Sequence, residues 1–108
     1  MRNEKMRNEK LKIDAERGVA VVHGEELKLA GGYARGDGMR WSVYARALKP
    51  NERYDVVLKN DRGEVIGVFA AYYVPHMFAL DVYPVWAPDG VRYRRCKINE
   101  RSFEIIKL

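Results

Sequence analysis

The sequence VIGVFAAYYV occupies positions 65–74 and is apolar on both of the faces that an extended chain presents. It follows the turn sequence NDRG at positions 60–63, which favours a β-hairpin. Pro75 ends the run, because proline cannot donate a hydrogen bond to a neighbouring strand. A strand with two apolar faces is typical of the centre of a sheet that is covered on both sides. We therefore expect residues 65–74 to be a central strand, covered by the rest of the chain or by a partner subunit.

The run at positions 39–48 shows the alternation of a strand with one buried face. Apolar residues stand at positions 41, 43, 45 and 47, and the side chains between them are Arg40, Ser42, Tyr44 and Arg46. Side chains point alternately to the two faces of a sheet, so the first set is expected to lie in the core. The second set is expected to face solvent.

Short β-rich runs alternate with turn clusters along residues 11–108, at the spacing of roughly 8–12 residues that is typical of a sandwich or barrel. We count eight or nine such runs, including 91–98 and 103–108, and find no helical pattern. Pro84 predicts a sheet edge or a bulge, and the glycine-rich residues 31–38 predict a bulge and a tight turn. The sequence therefore predicts an all-β, antiparallel β-sandwich or jelly-roll-like fold, with a small closed β-barrel as the alternative.

The chain has 108 residues and a mass of 12.5 kDa, enough for one hydrophobic core. Residues 1–10 repeat the unit MRNEK, whose period fits neither a helix nor a strand, so we expect a charged N-terminal tail before a single domain at 11–108. No stretch resembles a membrane span or a signal peptide, which predicts a cytoplasmic protein without a membrane partner. The chain lacks Thr and Gln and is rich in charged residues, a composition that predicts a thermophilic source.

Few residues of this chain could act as nucleophiles or metal ligands. Cys96 is the single cysteine, and a lone cysteine in a β-rich run is typical of a core residue. His23 and His76 lack the spacing of a metal site, and no sequence signature links Ser42 or Ser102 to a base. We therefore expect a protein that is not an enzyme and has no catalytic residues, cofactor, metal or small-molecule substrate.

The formal net charge is +5, and the positive charge is concentrated in residues 1–12 and 91–108. Arginine binds phosphate through its planar fork, and tyrosine offers a surface on which bases stack. This pattern predicts binding of RNA or single-stranded DNA through two strands, with the residues Arg40, Tyr44, Arg46, Arg92, Arg94, Arg95 and Lys97. The alternative is a solvated sheet face whose arginines pair with acidic neighbours such as Asp55 and Glu104.

A second group of residues is aromatic and lies between positions 69 and 86. Such a concentration exceeds what thin sheets readily bury, so it predicts a subunit interface, with the residues Phe69, Tyr72, Tyr73, Phe78 and Trp86. On this interpretation the protein is a self-associating structural or assembly subunit, such as a virion or filament component, that forms a homo-oligomer. The alternative is that the aromatic residues form the core of a monomer.

Overall fold

The structure is a computed structural model that describes residues 10–30, 38–88, 92–98 and 102–108. The described residues form nine strands and one short 3-10 turn at Pro75–Met77. The strands are β1 (Leu11–Asp14), β2 (Val19–Val22), β3 (Glu25–Lys28), β4 (Met39–Tyr44), β5 (Arg53–Asn60), β6 (Val65–Val74), β7 (Ala79–Trp86), β8 (Arg95–Lys97) and β9 (Phe103–Ile106). The prediction of an all-β chain is confirmed.

The strands form two sheets, one of three strands in the order β1-β2-β3 and one of six in the order β8-β7-β6-β5-β4-β9. Neighbouring strands are antiparallel except for β4 and β9, which are parallel, with Trp41 opposite Phe103. The larger sheet curls into a half-barrel. The fold thus combines features of the expected sandwich and of the expected barrel, and β6 lies near the centre of its sheet, as predicted.

Side chains on the concave face of the curled six-stranded sheet pack against one another and form the main core. The rings of Trp41 and Phe69 lie 5.3 Å apart there, and Tyr93 meets Trp41 edge to face at the same distance. Cys96 is buried in this core, so its prediction as a core residue is confirmed. Phe69 has no exposed surface, and the prediction that it lies in a subunit interface is therefore wrong.

The three-stranded sheet packs on the convex face of the larger sheet. Ala20 and Val22 of β2 form a second cluster with Val57, Val65 and Val68. This layer also covers the side of β4 that was expected to face solvent, where Ser42 and Tyr44 are buried. The expectation of a solvent-facing side is wrong for Ser42 and Tyr44, because alternation along one strand does not show whether a second sheet covers it, whereas Arg40 and Arg46 are exposed as expected.

Turn chemistry explains how the hairpins close. His23 and Gly24 both have positive φ, 49° and 85°, as a two-residue type I′ turn between β2 and β3 requires. At the predicted NDRG turn, the Asn60 side-chain oxygen accepts hydrogen bonds from the backbone N–H groups of Arg62 and Glu64, each at 3.0 Å. Gly63 has φ +78° there, a conformation that suits glycine, and the predicted hairpin is confirmed.

The end of β7 departs from regular pairing, as Pro84 predicts. Pro84 is opposite Phe69, whereas Trp86 is opposite Val68, so Val85 is an extra residue and forms a bulge. Strand β8 is shorter than the run predicted at 91–98. Residues 1–9 of the predicted tail and 31–37 of the glycine-rich segment lie outside the described residues.

Candidate nucleic-acid interface

Part of the convex face of the six-stranded sheet extends beyond the three-stranded sheet. Strand register places Arg53, Tyr72, Asp81 and Arg95 in one row across β5, β6, β7 and β8. Residues directly opposite each other share a face, and the alternate residues of these strands line the concave core. We call this surface the tyrosine face, with the residues Arg53, Tyr72, Asp81, Tyr83, Arg95 and Lys97.

Two tyrosines stand side by side on the tyrosine face. Tyr72 is 41% exposed and Tyr83 is 54% exposed. Their ring centroids are 6.0 Å apart and the ring planes meet at 73°, an edge-to-face arrangement. Each ring therefore supports the other while it keeps apolar surface in contact with solvent.

The tyrosine face carries more positive than negative charge. The guanidinium Nε of Arg95 donates a hydrogen bond of 2.8 Å to Asp81 Oδ1 and neutralises this carboxylate. Asp55 lies on the same side of the sheet, in the row of Tyr83, and its carboxylate is 2.8 Å from His23 Nε2. Arg53 and Lys97 are exposed, and no carboxylate of the described residues lies within 4.0 Å of either. Two cationic groups thus remain available on opposite sides of the tyrosine pair.

A groove adjoins the tyrosine face at the edge of β7. The backbone N–H of Val82 donates to the carbonyl of Arg94 at 3.0 Å, and beyond this bond no backbone hydrogen bond joins the described residues before Arg94 to β7. The resulting groove has a volume of about 720 Å³. We call it the β7 groove; it is lined by Phe69, Asp81, Tyr83, Pro84, Arg92, Tyr93, Arg94 and Arg95.

The structure divides the residues that the sequence assigned to nucleic-acid binding. Four of them lie on the tyrosine face or in the β7 groove: Arg92, Arg94, Arg95 and Lys97. Arg40 lies on β4, four strands from β8 and therefore about 19 Å away along the sheet, and pairs with Glu104 at 3.7 Å. Arg46 follows the end of β4. These two arginines therefore do not belong to the same surface as the other four residues.

Tyr44 belongs to a polar network between the two sheets. Its ring stacks on His23 at 5.3 Å, and its hydroxyl donates a hydrogen bond of 3.0 Å to Glu25. His23 Nε2 is in turn 2.8 Å from Asp55 Oδ2. Burial, followed by the hydrogen bond to Glu25, raises the pKa of Tyr44 well above its ordinary value. Tyr44 is only 3% exposed, so the prediction that it offers a stacking surface is wrong.

Two residues of the tyrosine face were missed in the sequence. Arg53 precedes the alternating residues Asp55, Val57 and Lys59, and its odd position places it on the face opposite the core. Tyr83 lies within the aromatic segment at positions 69–86 but is not among the residues predicted there. The available signal for both was the alternation of odd and even positions along each strand. The buried positions on β5 and β7 are mostly even-numbered, so the odd-numbered Arg53 and Tyr83 lie on the other face.

The remaining aromatic residues predicted as an interface fall into two groups. Tyr73 and Trp86 are partly buried and pack against the two hydrophobic clusters. Phe78 is 51% exposed at the tip of the β6–β7 hairpin, next to exposed Met77. Its φ of 49° is unusual for a bulky side chain and is set by the turn, where its N–H donates to the carbonyl of Pro75.

Within the described residues, no group of three or more His, Cys, Asp or Glu side chains could hold a metal ion. The described part of the chain also has no helix with the length and apolar character needed to cross a membrane. No protein-family model, curated protein or solved structure matches the chain.

Proposed function

We propose that this protein binds single-stranded nucleic acid, RNA or DNA, through the tyrosine face, and that it acts by binding rather than by catalysis. The observation that supports this most is the exposed pair Tyr72 and Tyr83, flanked by Arg53 on one side and by Arg95 and Lys97 on the other. Aromatic rings interleaved with cations on an open sheet match the two needs of a single strand, which are stacking for bases and positive charge for phosphates.

The dimensions of the tyrosine face suit a short segment of single strand. From β5 to β8 the face spans three inter-strand spacings, or about 14 Å. Stacked nucleotides rise about 3.4 Å each, so about four nucleotides fit across it. Base stacking on an aromatic ring contributes about 1–3 kcal/mol per base, so two tyrosines add about 2–6 kcal/mol to the attraction between the cations and the phosphates.

The ion pair between Arg95 and Asp81 does not prevent Arg95 from taking part. Both side chains are partly exposed, and such pairs contribute only about 0–1 kcal/mol. A phosphate can therefore replace the carboxylate as the partner of this guanidinium at little energetic cost. The same carboxylate repels phosphates that are not held by Arg95, which favours one path for the strand across the face.

Fluorescence anisotropy at low salt tests this proposal, with labelled single-stranded and duplex oligonucleotides of equal length. We expect the single strand to bind more tightly, and Tyr72→Ala to weaken its binding about fivefold or more, because one stacking surface is lost. Tyr72→Phe is the matched control, which keeps the ring and is expected to bind as the unaltered protein does. Absence of binding at low salt, or equal binding by Tyr72→Ala, would contradict the proposal.

The second candidate function is self-association as a structural or assembly subunit. Its supporting observation is β9, the last strand of the larger sheet. The outer edge of β9 has no partner strand among the described residues. Ile105 is 44% exposed on this edge strand, and Leu108, just beyond it, is 53% exposed. Unpaired strand edges accept strands from other subunits. Light scattering after size exclusion tests this: a dimer that Ile105→Lys converts to a monomer supports it, and a monomer at high concentration contradicts it.

A further inference from the structure

Among the described residues, the edge of β7 beside the β7 groove is only partly paired. Strand β8 pairs with residues 79–81 of β7, and the backbone bond from Val82 to Arg94 follows. At the next position that could face a partner strand on this edge, Pro84 has no N–H group. An added peptide strand would therefore lose a ladder hydrogen bond here, so this edge is poorly suited to strand addition and leaves the groove open to another kind of ligand.

The inner surface of the groove is aromatic and apolar. Phe69 is fully buried beneath it, and the exposed ring of Tyr83 stands beside Pro84 on the β7 side. On the other side lies Tyr93, whose position is fixed by its edge-to-face contact with Trp41 and by the hydrogen bond that its hydroxyl donates to Met39 Sδ at 3.1 Å. A flat ring can therefore contact aromatic side chains on two sides of this groove.

The rim of the groove is cationic. Among the described residues, Arg92, Arg94 and Arg95 line it together with one carboxylate, that of Asp81, which already bonds to Arg95. Arg92 and Arg94 make no ion pair with any carboxylate of the described residues. The volume of about 720 Å³ lies within the range of roughly 300–1,000 Å³ that is typical of small-ligand sites.

We propose that the β7 groove holds one unpaired nucleotide of the bound strand, with its base against Tyr83 and Tyr93 and its phosphate on Arg92 and Arg94. The inference rests on the proposed function and adds a site where a single base leaves the strand. Bases of a duplex are stacked and paired, so none can enter the groove without the energetic cost of unstacking. The groove thereby discriminates against duplexes, which the open tyrosine face alone does only weakly.

An abasic oligonucleotide separates the groove from the tyrosine face. We compare a short single strand with strands of the same length in which one residue at a time lacks its base, so that the number of phosphates is constant. The groove predicts one position at which the missing base weakens binding about five- to hundredfold, as expected for the loss of a base stacked on aromatic side chains. Smaller, uniform losses at all positions would overturn the proposal, while the proposed function would stand.

Substitutions then assign the sensitive position to the groove. Tyr83→Ala is expected to remove the difference between the intact and abasic strands, and Tyr83→Phe to restore it, because Tyr83 lies at the surface and stacking needs only its ring. Arg53→Ala, on the far side of the tyrosine face, is the matched control: it weakens binding of both strands and keeps their ratio. If Tyr83→Ala keeps the ratio, or if Tyr72→Ala, which alters the tyrosine face and not the lining of the groove, also removes the difference, the groove is not the site of the base.

Free nucleotides and the nucleotides of a strand share this chemistry, so a nucleoside monophosphate is added as a competitor. We expect it to displace the labelled strand only at concentrations far above those of the unlabelled oligonucleotide, because it lacks the contacts of the tyrosine face. Displacement at equal concentrations would overturn the assignment to a strand and indicate a free nucleotide as the ligand. Absence of binding by every oligonucleotide would refute the proposed function itself.

Discussion

Replacing both Arg92 and Arg94 by alanine is expected to change how strongly nucleic-acid binding depends on salt. Four cations on the tyrosine face or the rim of the β7 groove make no ion pair with a carboxylate of the described residues, namely Arg53, Arg92, Arg94 and Lys97. Each phosphate contact on a single strand contributes about −0.7 to the slope of log affinity against log salt concentration. Four contacts therefore give a slope of about −2.8, and the double variant is expected to give about −1.4.

This difference is large enough to measure directly. A fourfold rise in salt concentration is expected to weaken binding by the unaltered protein about 50-fold, and binding by the double variant about sevenfold. The assay is fluorescence anisotropy with one labelled single strand over a series of potassium chloride concentrations. Circular dichroism of both proteins tests whether the two exposed substitutions leave the fold intact.

The matched control removes the same charge from a different surface. Lys10→Ala with Lys12→Ala alters two exposed cations at the start of the three-stranded sheet, outside the tyrosine face, and neither makes an ion pair among the described residues. We expect this variant to keep the slope of the unaltered protein. Specific phosphate contacts of Arg92 and Arg94 are refuted if the double variant keeps the slope of log affinity against log salt concentration, or if the control reduces it equally. Either result would indicate that the net charge of the whole protein attracts the strand.

Three further predictions concern stability and are measured by urea denaturation. Phe69→Ala is expected to destabilise the protein by about 3–5 kcal/mol, because it leaves a cavity in the main core; a loss below about 1 kcal/mol would contradict its central position. His23→Ala removes the bond to Asp55 and is expected to lower the free energy of unfolding by about 1–3 kcal/mol. His23→Gly should lower it by about 1 kcal/mol less, since glycine adopts the φ of 49° found at this position without strain. The hydrogen bond from Asn60, together with that from Arg62, lowers the pKa of Glu64 from its ordinary value of 4.5. The contact therefore stabilises the folded protein fully above pH 4.5, and this stabilisation is lost as the pH falls through the lowered pKa. Glu64→Gln should flatten the dependence of the free energy of unfolding on pH in this acid range. An unchanged dependence would count against the contact.

Local sequence signals predicted the strands and most of their boundaries well. The NDRG turn combines an Asx residue with a glycine at positive φ, and both act within a few residues of the chain. Pro84 marked an irregularity for a reason that holds in any strand, since it lacks an N–H group. The apolar run at 65–74 indicated a covered strand because both of its faces lacked charge. Each of these features depends only on residues that are close together in sequence, so it can be recognised from the sequence alone.

The contacts between distant parts of the chain could not be predicted in this way. Tyr44 alternates with core residues, as a solvent-facing side chain would, and only the position of β2 and β3 above β4 explains its burial. The tyrosine face likewise depends on pairing across four strands, which places Arg53 and Arg95 in the same row. The basic residues near positions 92–97 were identified because they are close in sequence. The residues that share a row with Arg95 are Asp81, Tyr72 and Arg53, which are 14 to 42 positions away in sequence, and strand order decides that they meet.

The parallel pairing of β9 with β4 has a consequence for the order in which the protein folds. Strands β5, β6 and β7 follow one another and close through short turns, so the entropy lost in bringing them together is small. Trp41 and Phe103 are paired although about 60 residues separate them, and such non-local contacts form slowly. The β5–β6–β7 meander is therefore expected to form early, and β9 to dock last onto an already ordered sheet. Amide protons of β9 should accordingly exchange with solvent through local opening, long before those of β5 and β6 exchange through global unfolding.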